Sequence, residues 1–411
     1  MKWLASILML AFAMGPAQAQ VDAPYVRLFD TLWSTVNDNY YDPHFRGHDW
    51  AAVRPRYAAR ARAVRNDAEF AALGAAMLRE IGSSHLSLGA PARLRNQSRI
   101  GARVEQIGGA AVITDVPLLS HAWRQGLRPG HRLVAGTNGL SGNLGTLASV
   151  TIERCDGARA EASVRREQAY WPLERPGFRW RQIRTGIDTR VGYIRVDRFD
   201  DGAAELADRA MAELAETKAI IIDLRENPGG NASALRLASY FAPGAEPAVV
   251  LLARPYLTAL GRQPTAADIA AVTRVNGAYT DAAIFGAVAS NNGGVAFWTD
   301  ALPNRYTRPV FVLIGPRTGS AAEGFAWYMR LRTHARLIGR PTAGALLSAQ
   351  TFPIGEGWSV TVPVHGLWGP DGRDYGDQAV PPHVAVEWQR DDYCSGRDPD
   401  LEAAFRLIDS P

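Results

Sequence analysis

Apolar residues between positions 25 and 81 recur at steps of three to four, as at Leu28, Leu32 and Val36 and again at Phe70, Leu73 and Met77. That period is the helical one, so the first part of the chain is predicted to be a small helical region. From 101 to 165 the period changes. Ala110-Ala111-Val112-Ile113, Arg132-Leu133-Val134 and Ser149-Val150-Thr151-Ile152 are short β-type runs broken by Gly and Asn. They predict a compact β module. Residues 170–180, rich in Trp, Pro and Arg, read as the connection onward.

The remainder alternates strand and helix. Strands are predicted at 192–196, 219–224, 247–252 and 310–314, with helices over 203–216, after Gly230 and over 320–331. Strands spaced by helices of this length predict an α/β domain with a mainly parallel sheet. The long connection 254–306 carries the Ser290-Asn291-Asn292-Gly293-Gly294 stretch and is expected to be a lid or gating insertion. No internal repeat is found. The organisation expected is 1–19 as an export segment, 20–94 as the helical region, 95–169 as the β module and 170–411 as the α/β core.

Composition narrows the class. With 47% hydrophobic and 21% charged residues the chain is globular rather than disordered. The net charge of +4 comes from scattered Arg without a basic run, so nucleic acid is not an expected partner. At the start, Lys2, the apolar stretch 4–14 and Ala17-Gln18-Ala19 have the layout of a secretory signal, which implies a periplasmic or secreted protein. No later stretch is long and apolar enough for a membrane-spanning helix, so stable membrane insertion is not expected. Cys155 and Cys394 do not make a disulfide framework, and two separate thiols are the favoured reading. His44, His48 and Asp49 lack a further ligand, so no metal site and no cofactor is expected.

Three local motifs can carry chemistry. Thr318-Gly319-Ser320-Ala321-Ala322-Glu323 follows an apolar strand and opens a helix. There the backbone N–H groups of a first turn would face an oxyanion. Ser320 and Glu323 also have the spacing of a capping box, the commoner meaning of that local motif. Asp223-Leu224-Arg225-Glu226-Asn227-Pro228-Gly229-Gly230 ends another strand, and its paired glycines let backbone approach a ligand closely. In Gly82-Ser83-Ser84-His85, Ser84 stands where it could orient the His85 imidazole as a base. The absence of a G-x-S-x-G elbow disfavours an α/β-hydrolase.

In this order, and with Gly339-Arg340-Pro341-Thr342-Ala343-Gly344, Val380-Pro381-Pro382 and Asp398-Pro399-Asp400-Leu401, the motifs resemble the C-terminal processing (tail-specific) and tricorn-core serine peptidase family. The resemblance implies a Clp/crotonase-like α/β core and acyl-enzyme cleavage of peptides or unfolded protein tails. Ser320 would be the nucleophile, and backbone N–H groups of Ala321 and of Gly229 or Gly230 would hold the oxyanion. Gly126-Leu127-Arg128-Pro129-Gly130 resembles the turn of a PDZ module, which implies a peptide or protein substrate engaged through its C-terminus. Relatives of the processing type place a Lys where this chain has Ala345, and Lys218 is the sole lysine after residue 19. An Arg does not give up its proton, so the tricorn-like variant with His85 as base and Ser84 beside it is the one implied. Such a base predicts activity rising with pH near about 6.5 to 7. Gly376 stands where relatives carry the acidic member, with Asp377 or Asp374 as substitutes. A catalytically weak or inactive protein that binds peptides or apolar ligands on the same scaffold is the principal alternative. An adaptor working only through its β module leaves Ser320 and 223–230 unexplained.

The export reading predicts a mature N-terminus near Gln20, to be read from the intact mass of periplasmic material. Retention of residues 1–19 would sink it.

Overall fold

The computed structural model describes residues 24–94, 97–135, 137–168, 177–185, 189–275, 277 and 279–409. The export segment expected at 1–19 and positions 170–176 of the expected connection lie outside the described residues.

The strand Ala219–Asp223 is buried at every position, as a strand covered on both faces must be. Ile220 and Ile222 share a core with Phe325 and Met329 of the helix Ala321–Arg332. Ile221 lies in a separate core with Phe311, Ile338 and Ala404 of the helix Pro399–Asp409. This is the two-residue alternation of a strand dividing itself between helices above and below. The sheet runs Val384–Ala385, Arg336–Gly339, Val310–Ile314, Ala219–Asp223, Thr189–Val196, Phe178–Thr185. All neighbours are parallel except the last pair. Asp223 is in register with Leu313, so the chain leaves two adjacent parallel strands side by side at their carboxyl ends. Ligand sites of open α/β sheets lie outside the carboxyl ends of the strands, although this sheet runs in sequential order without a reversal.

A second, six-stranded sheet lies behind the first helix layer. It orders Ser87–Gly89, Trp358–Trp368, Pro247–Ala253, Gly294–Trp298 and Arg274–Val275, with Ser348–Gly355 also paired to Trp358–Trp368. Leu251, Val295 and Phe297 join the core of the helix layer. Val250, Ala296 and Val360 join Leu28, Leu32, Val36 and Phe70 of the N-terminal helices. Those helices, Pro24–Asn39, Trp50–Ala61 and Asp67–Leu78, thus pack the stripe read from the sequence onto the back of this sheet. Asp49 and Asn66 cap the second and third by accepting from Ala52 N–H and Glu69 N–H. No helix of the described residues is long and apolar enough to cross a membrane.

The expected lid at 254–306 is in part core. Its helices Arg254–Leu260, Ala266–Ala270 and Asp281–Ser290 lead into Gly294–Trp298, which pairs antiparallel with Pro247–Ala253. The Gly/Asn stretch is the turn into that strand, with Asn292 and Gly293 at φ 51° and 81°. The residues 97–167 form a seven-stranded antiparallel sheet around their own core of Ile113, Leu127, Val150 and Val164. The expectation of two separate thiols is corrected as well. Cys155, in the turn after Leu147–Glu153, is disulfide-bonded to Cys394 on the helix Arg390–Ser395, with Cα atoms 5.7 Å apart. A separation of 239 residues hides that pairing from any local pattern. Beside it Arg390 bonds Glu153 Oε1 at 2.8 Å and Gly130 O at 2.9 Å.

Phe297 is 4% exposed, so Phe297→Ala should cost about 3 to 5 kcal/mol in denaturant unfolding. A loss below about 1 kcal/mol, the size expected of a surface change, would restore the lid reading of this segment.

Candidate active site

Ser320 sits between the strand Val310–Ile314 and the helix Ala321–Arg332 at φ 50°, ψ −124°, a conformation L-residues rarely adopt. Several bonds hold it there. Ser320 N–H donates to Ala345 O at 2.9 Å and to Glu323 Oε2 at 3.1 Å. Gly319 N–H donates to Asn227 O at 3.0 Å. Thr318 Oγ1 donates to Leu224 O at 2.8 Å and accepts Gly315 N–H at 3.0 Å. The capping-box pairing of Ser320 with Glu323 is present, but it is a part of something larger. Glu323 is fully buried and also accepts from Thr342 Oγ1 at 2.6 Å, Gly344 N–H at 2.6 Å and Ala345 N–H at 2.7 Å. Burial pushes its carboxyl pKa up, against the pull of those donors.

The paired glycines stand against this turn. A Cβ on Gly229 would lie 2.5 Å from Ser320 Cβ, and one on Gly230 would lie 1.6 Å from Phe199 O. With φ of 118° and 139°, both positions admit glycine alone. Their N–H groups differ in use. Gly229 N–H is taken by Asn227 Oδ1 at 2.8 Å, so of the two glycines left open by the sequence only Gly230 retains a donor. Among the described residues no hydrogen bond engages the N–H of Gly230 or of Ala321. Asn227, fully buried, was not singled out in the sequence; the turn it organises was its only signal.

His85 and Ser320 line one cavity of about 350 Å³ between the helix Ala321–Arg332 and the second sheet. His85 is delivered there by the strand Ser87–Gly89, whose Ser87 pairs with Thr361, another lining residue. The backbone of His85 is strained, with φ 60°, and its Nδ1 lies 3.4 Å from Ser84 Oγ. Burial lowers the imidazole pKa from 6.5, and the charge of Asp377 opposes that shift. Asp377 does not bond the ring. Its Oδ1 accepts Ser84 N–H at 2.9 Å, its Oδ2 accepts Ser83 Oγ–H at 3.2 Å, and Arg46 pairs with it. Asp374, the other candidate, accepts from Gly376 N–H at 2.8 Å and from Tyr41 OH at 3.4 Å, and burial pushes its pKa up. At Gly376 a Cβ would stand 2.3 Å from Leu347 Cδ2, so a side chain there would have to displace the tip of the buried Leu347. Arg46 lies 331 residues from Asp377, and no sequence pattern links them.

Charge joins the β module to both turns. Arg103 bonds Glu226 at 2.6 Å, Arg317 bonds Glu105 at 2.7 Å and also pairs with Glu226. Arg317 precedes Ser320 by three residues and Glu226 precedes Gly229 by three, so the module's strand Arg103–Ile107 grips the two segments that flank the site.

Known proteins resemble this chain in sequence stretches and in fold. A model of Peptidase family S41 matches residues 190–386, and a Tricorn protease C1 domain matches residues 23–79. Carboxy-terminal processing protease CtpB of Bacillus subtilis is 23% identical over 72% of this chain and 56% of its own length. Carboxyl-terminal-processing peptidase 3, chloroplastic, of Arabidopsis thaliana is 25% identical over 62% of this chain and 55% of its own length. The chain thus spans about half the length of these curated relatives. Among solved structures, a photosystem II D1 C-terminal processing protease has a TM-score of 0.56 at 18% identity, covering 94% of this chain and 97% of that one. Mature CPAF has a TM-score of 0.65 at 14% identity, covering 93% and 97%. At these identities the likeness is one of fold.

Glu323→Gln would replace one accepting oxygen by an NH2 group and so turn a donor toward two backbone or hydroxyl donors. The expected result is a stability loss of about 1 to 3 kcal/mol together with slower reaction of Ser320 with a fluorophosphonate, read by denaturation and labelling kinetics. Unchanged stability and labelling would show that the carboxylate is not what holds the turn.

Proposed function

We propose that this chain, whose residues 190–386 match peptidase family S41, is an exported serine peptidase acting through Ser320 with His85 as base. The observation that carries this reading is the strained Ser320 at a helix N-terminus, on a cavity shared with His85 and beside two N–H groups that no hydrogen bond among the described residues engages.

Ser320 Oγ attacks the carbonyl carbon of a peptide bond while His85 takes its proton. The C–N bond breaks with that proton passing to the leaving amine, and water then releases the acyl group from Ser320. The N–H groups of Gly230 and Ala321 hold the oxyanion. Gly229 serves differently, by letting the turn approach Ser320. Ser84 orients the imidazole, and Asp377 acts one step back by anchoring the backbone of the Ser83-Ser84 turn. Lysine has no part in this scheme. Ala345 occupies the alternative base position, and Lys218 is exposed before the strand Ala219–Asp223, whose far end leads into the catalytic turn.

The disulfide supports an oxidising compartment, in keeping with a signal segment at 1–19. We read 95–169 as a PDZ-like module and the α/β remainder as a Clp/crotonase-like core. The strand Arg103–Ile107 is the edge of the module's sheet, where a substrate tail would add as a further strand. Glycine at position 376 is the one feature behind the rival reading, a weak or inactive binder, which the retained Ser320 and His85 oppose, and reactivity separates the two.

A fluorophosphonate should label the native protein at Ser320 and not a Ser320→Ala variant; no labelling would leave the binding reading standing. His85→Ala should lower peptide turnover by roughly two or more orders of magnitude, while Lys218→Ala retains it. The base works only when neutral and its pKa is lowered, so kcat/KM should rise with pH through a midpoint below 6.5. That is lower than the sequence alone implied. Asp377→Asn removes the charge that raises this pKa and should move the midpoint lower still; a midpoint above 6.5 would overturn the assignment of His85.

A further inference from the structure

The cavity beside Ser320 is walled by Leu235, Leu251, Phe297, Phe325 and Leu346 among other apolar side chains. Apart from Ser320 and His85, its polar side chains are Asn231, Ser348 and Thr361. Asn231 is engaged at both ends, accepting Ser233 N–H at 3.0 Å and donating to Asp201 at 2.6 Å. Thr361 Oγ1 pairs with Thr351 Oγ1 at 2.9 Å in an exposed position, where water offsets whatever a ligand would gain. Ser348 differs from both. Its Oγ lies 3.0 Å from Nδ1 of His365, which is 6% exposed.

The pairing is fixed by the backbone, because Ser348 and His365 are direct cross-strand partners between Ser348–Gly355 and Trp358–Trp368. A hydroxyl has one donor and two acceptor sites, so a single bond to His365 leaves Ser348 with capacity for an occupant of the cavity. Burial drives the His365 pKa down to about 4, so the pair is uncharged at neutral pH. The ring of Phe285, which lines the cavity from the helix Asp281–Ser290, lies 5.5 Å from the His365 ring. About 350 Å³ is room for an aromatic side chain.

We propose that Ser348, positioned by His365, determines the specificity of this cavity, selecting a bulky uncharged side chain with a hydrogen-bonding tip, of which tyrosine is the nearest natural match. The assignment deepens the peptidase reading by naming the side chain that would sit beside the cleaved bond. A tyrosine hydroxyl enclosed by these apolar walls would find its partner in Ser348. A phenylalanine in the same place would expel water and leave the Ser348 hydroxyl with capacity unfilled, which is how a polar site rejects an apolar analogue.

Binding to the Ser320→Ala protein tests this without requiring turnover. Matched acetylated peptides ending in Tyr or Phe are compared by calorimetry, and the Tyr peptide should bind roughly three- to tenfold more tightly. Adding Ser348→Ala should bring that ratio to about one. His365→Phe should do the same and His365→Gln, which can still bond Ser348, should keep the preference, a pattern that a merely structural role for His365 would not produce. Equal affinities, binding by neither peptide, or a ratio unmoved by Ser348→Ala would each overturn the assignment. Failure of the native protein to react with a fluorophosphonate would instead sink the peptidase reading while leaving the binding preference to be judged on its own.

Discussion

Glu323 is a carboxylate with no exposed surface, and its four hydrogen bonds draw the Ser320 turn and the loop 342–345 to one point. Removing such a group from water is costly by several kcal/mol, and the donors offset that cost only if all are in place. The same demand that satisfies the carboxylate therefore fixes the backbone of Ser320 in a conformation it would otherwise leave. Asn227 performs a matching task from the neighbouring strand end, accepting Gly229 N–H and, through its own carbonyl, Gly319 N–H. Two buried polar residues thus over-determine the site, which is the condition under which backbone strain persists.

Around that point the layers have separate tasks. The parallel sheet brings two strand ends side by side, the helix Ala321–Arg332 supplies a positive end of its dipole, and the second sheet carries His85 and the far wall of the cavity. The N-terminal helices line none of this cavity, yet they support the back of the sheet that leads from His85. Asp377 and Arg46 extend that support, since the carboxylate meets Ser83 and Ser84 while its charge is matched from the loop after the first helix.

What was legible in the sequence was what a short stretch can hold. The helical stripe of Leu28, Leu32 and Val36, the strand at 219–224 and the turns at Ser320 and at 229–230 each declare themselves within a few residues. Features that need two distant segments did not. The 331 residues between Arg46 and Asp377 and the 239 between the cysteines carry no pattern. The choice of Gly230 over Gly229 depends on where one Asn side chain points. Val295-Ala296-Phe297 was missed as a strand because a short apolar run buried on both sides lacks the alternation that marks a half-exposed one.

The disulfide closes residues 155 to 394 into a covalent circuit, and both Ser320 and the glycine turn lie inside it while His85 lies outside. A single cut anywhere within the circuit opens a ring rather than freeing a fragment, so its two new ends stay attached to one molecule. A cut between the helical region and the β module has no such protection, and would leave His85 held to the rest by packing alone. Tolerance of a cut in the chain is therefore unevenly distributed: it is high around Ser320 and low on the side of the chain that carries His85, which matters most to a protein that acts as the proposed peptidase would.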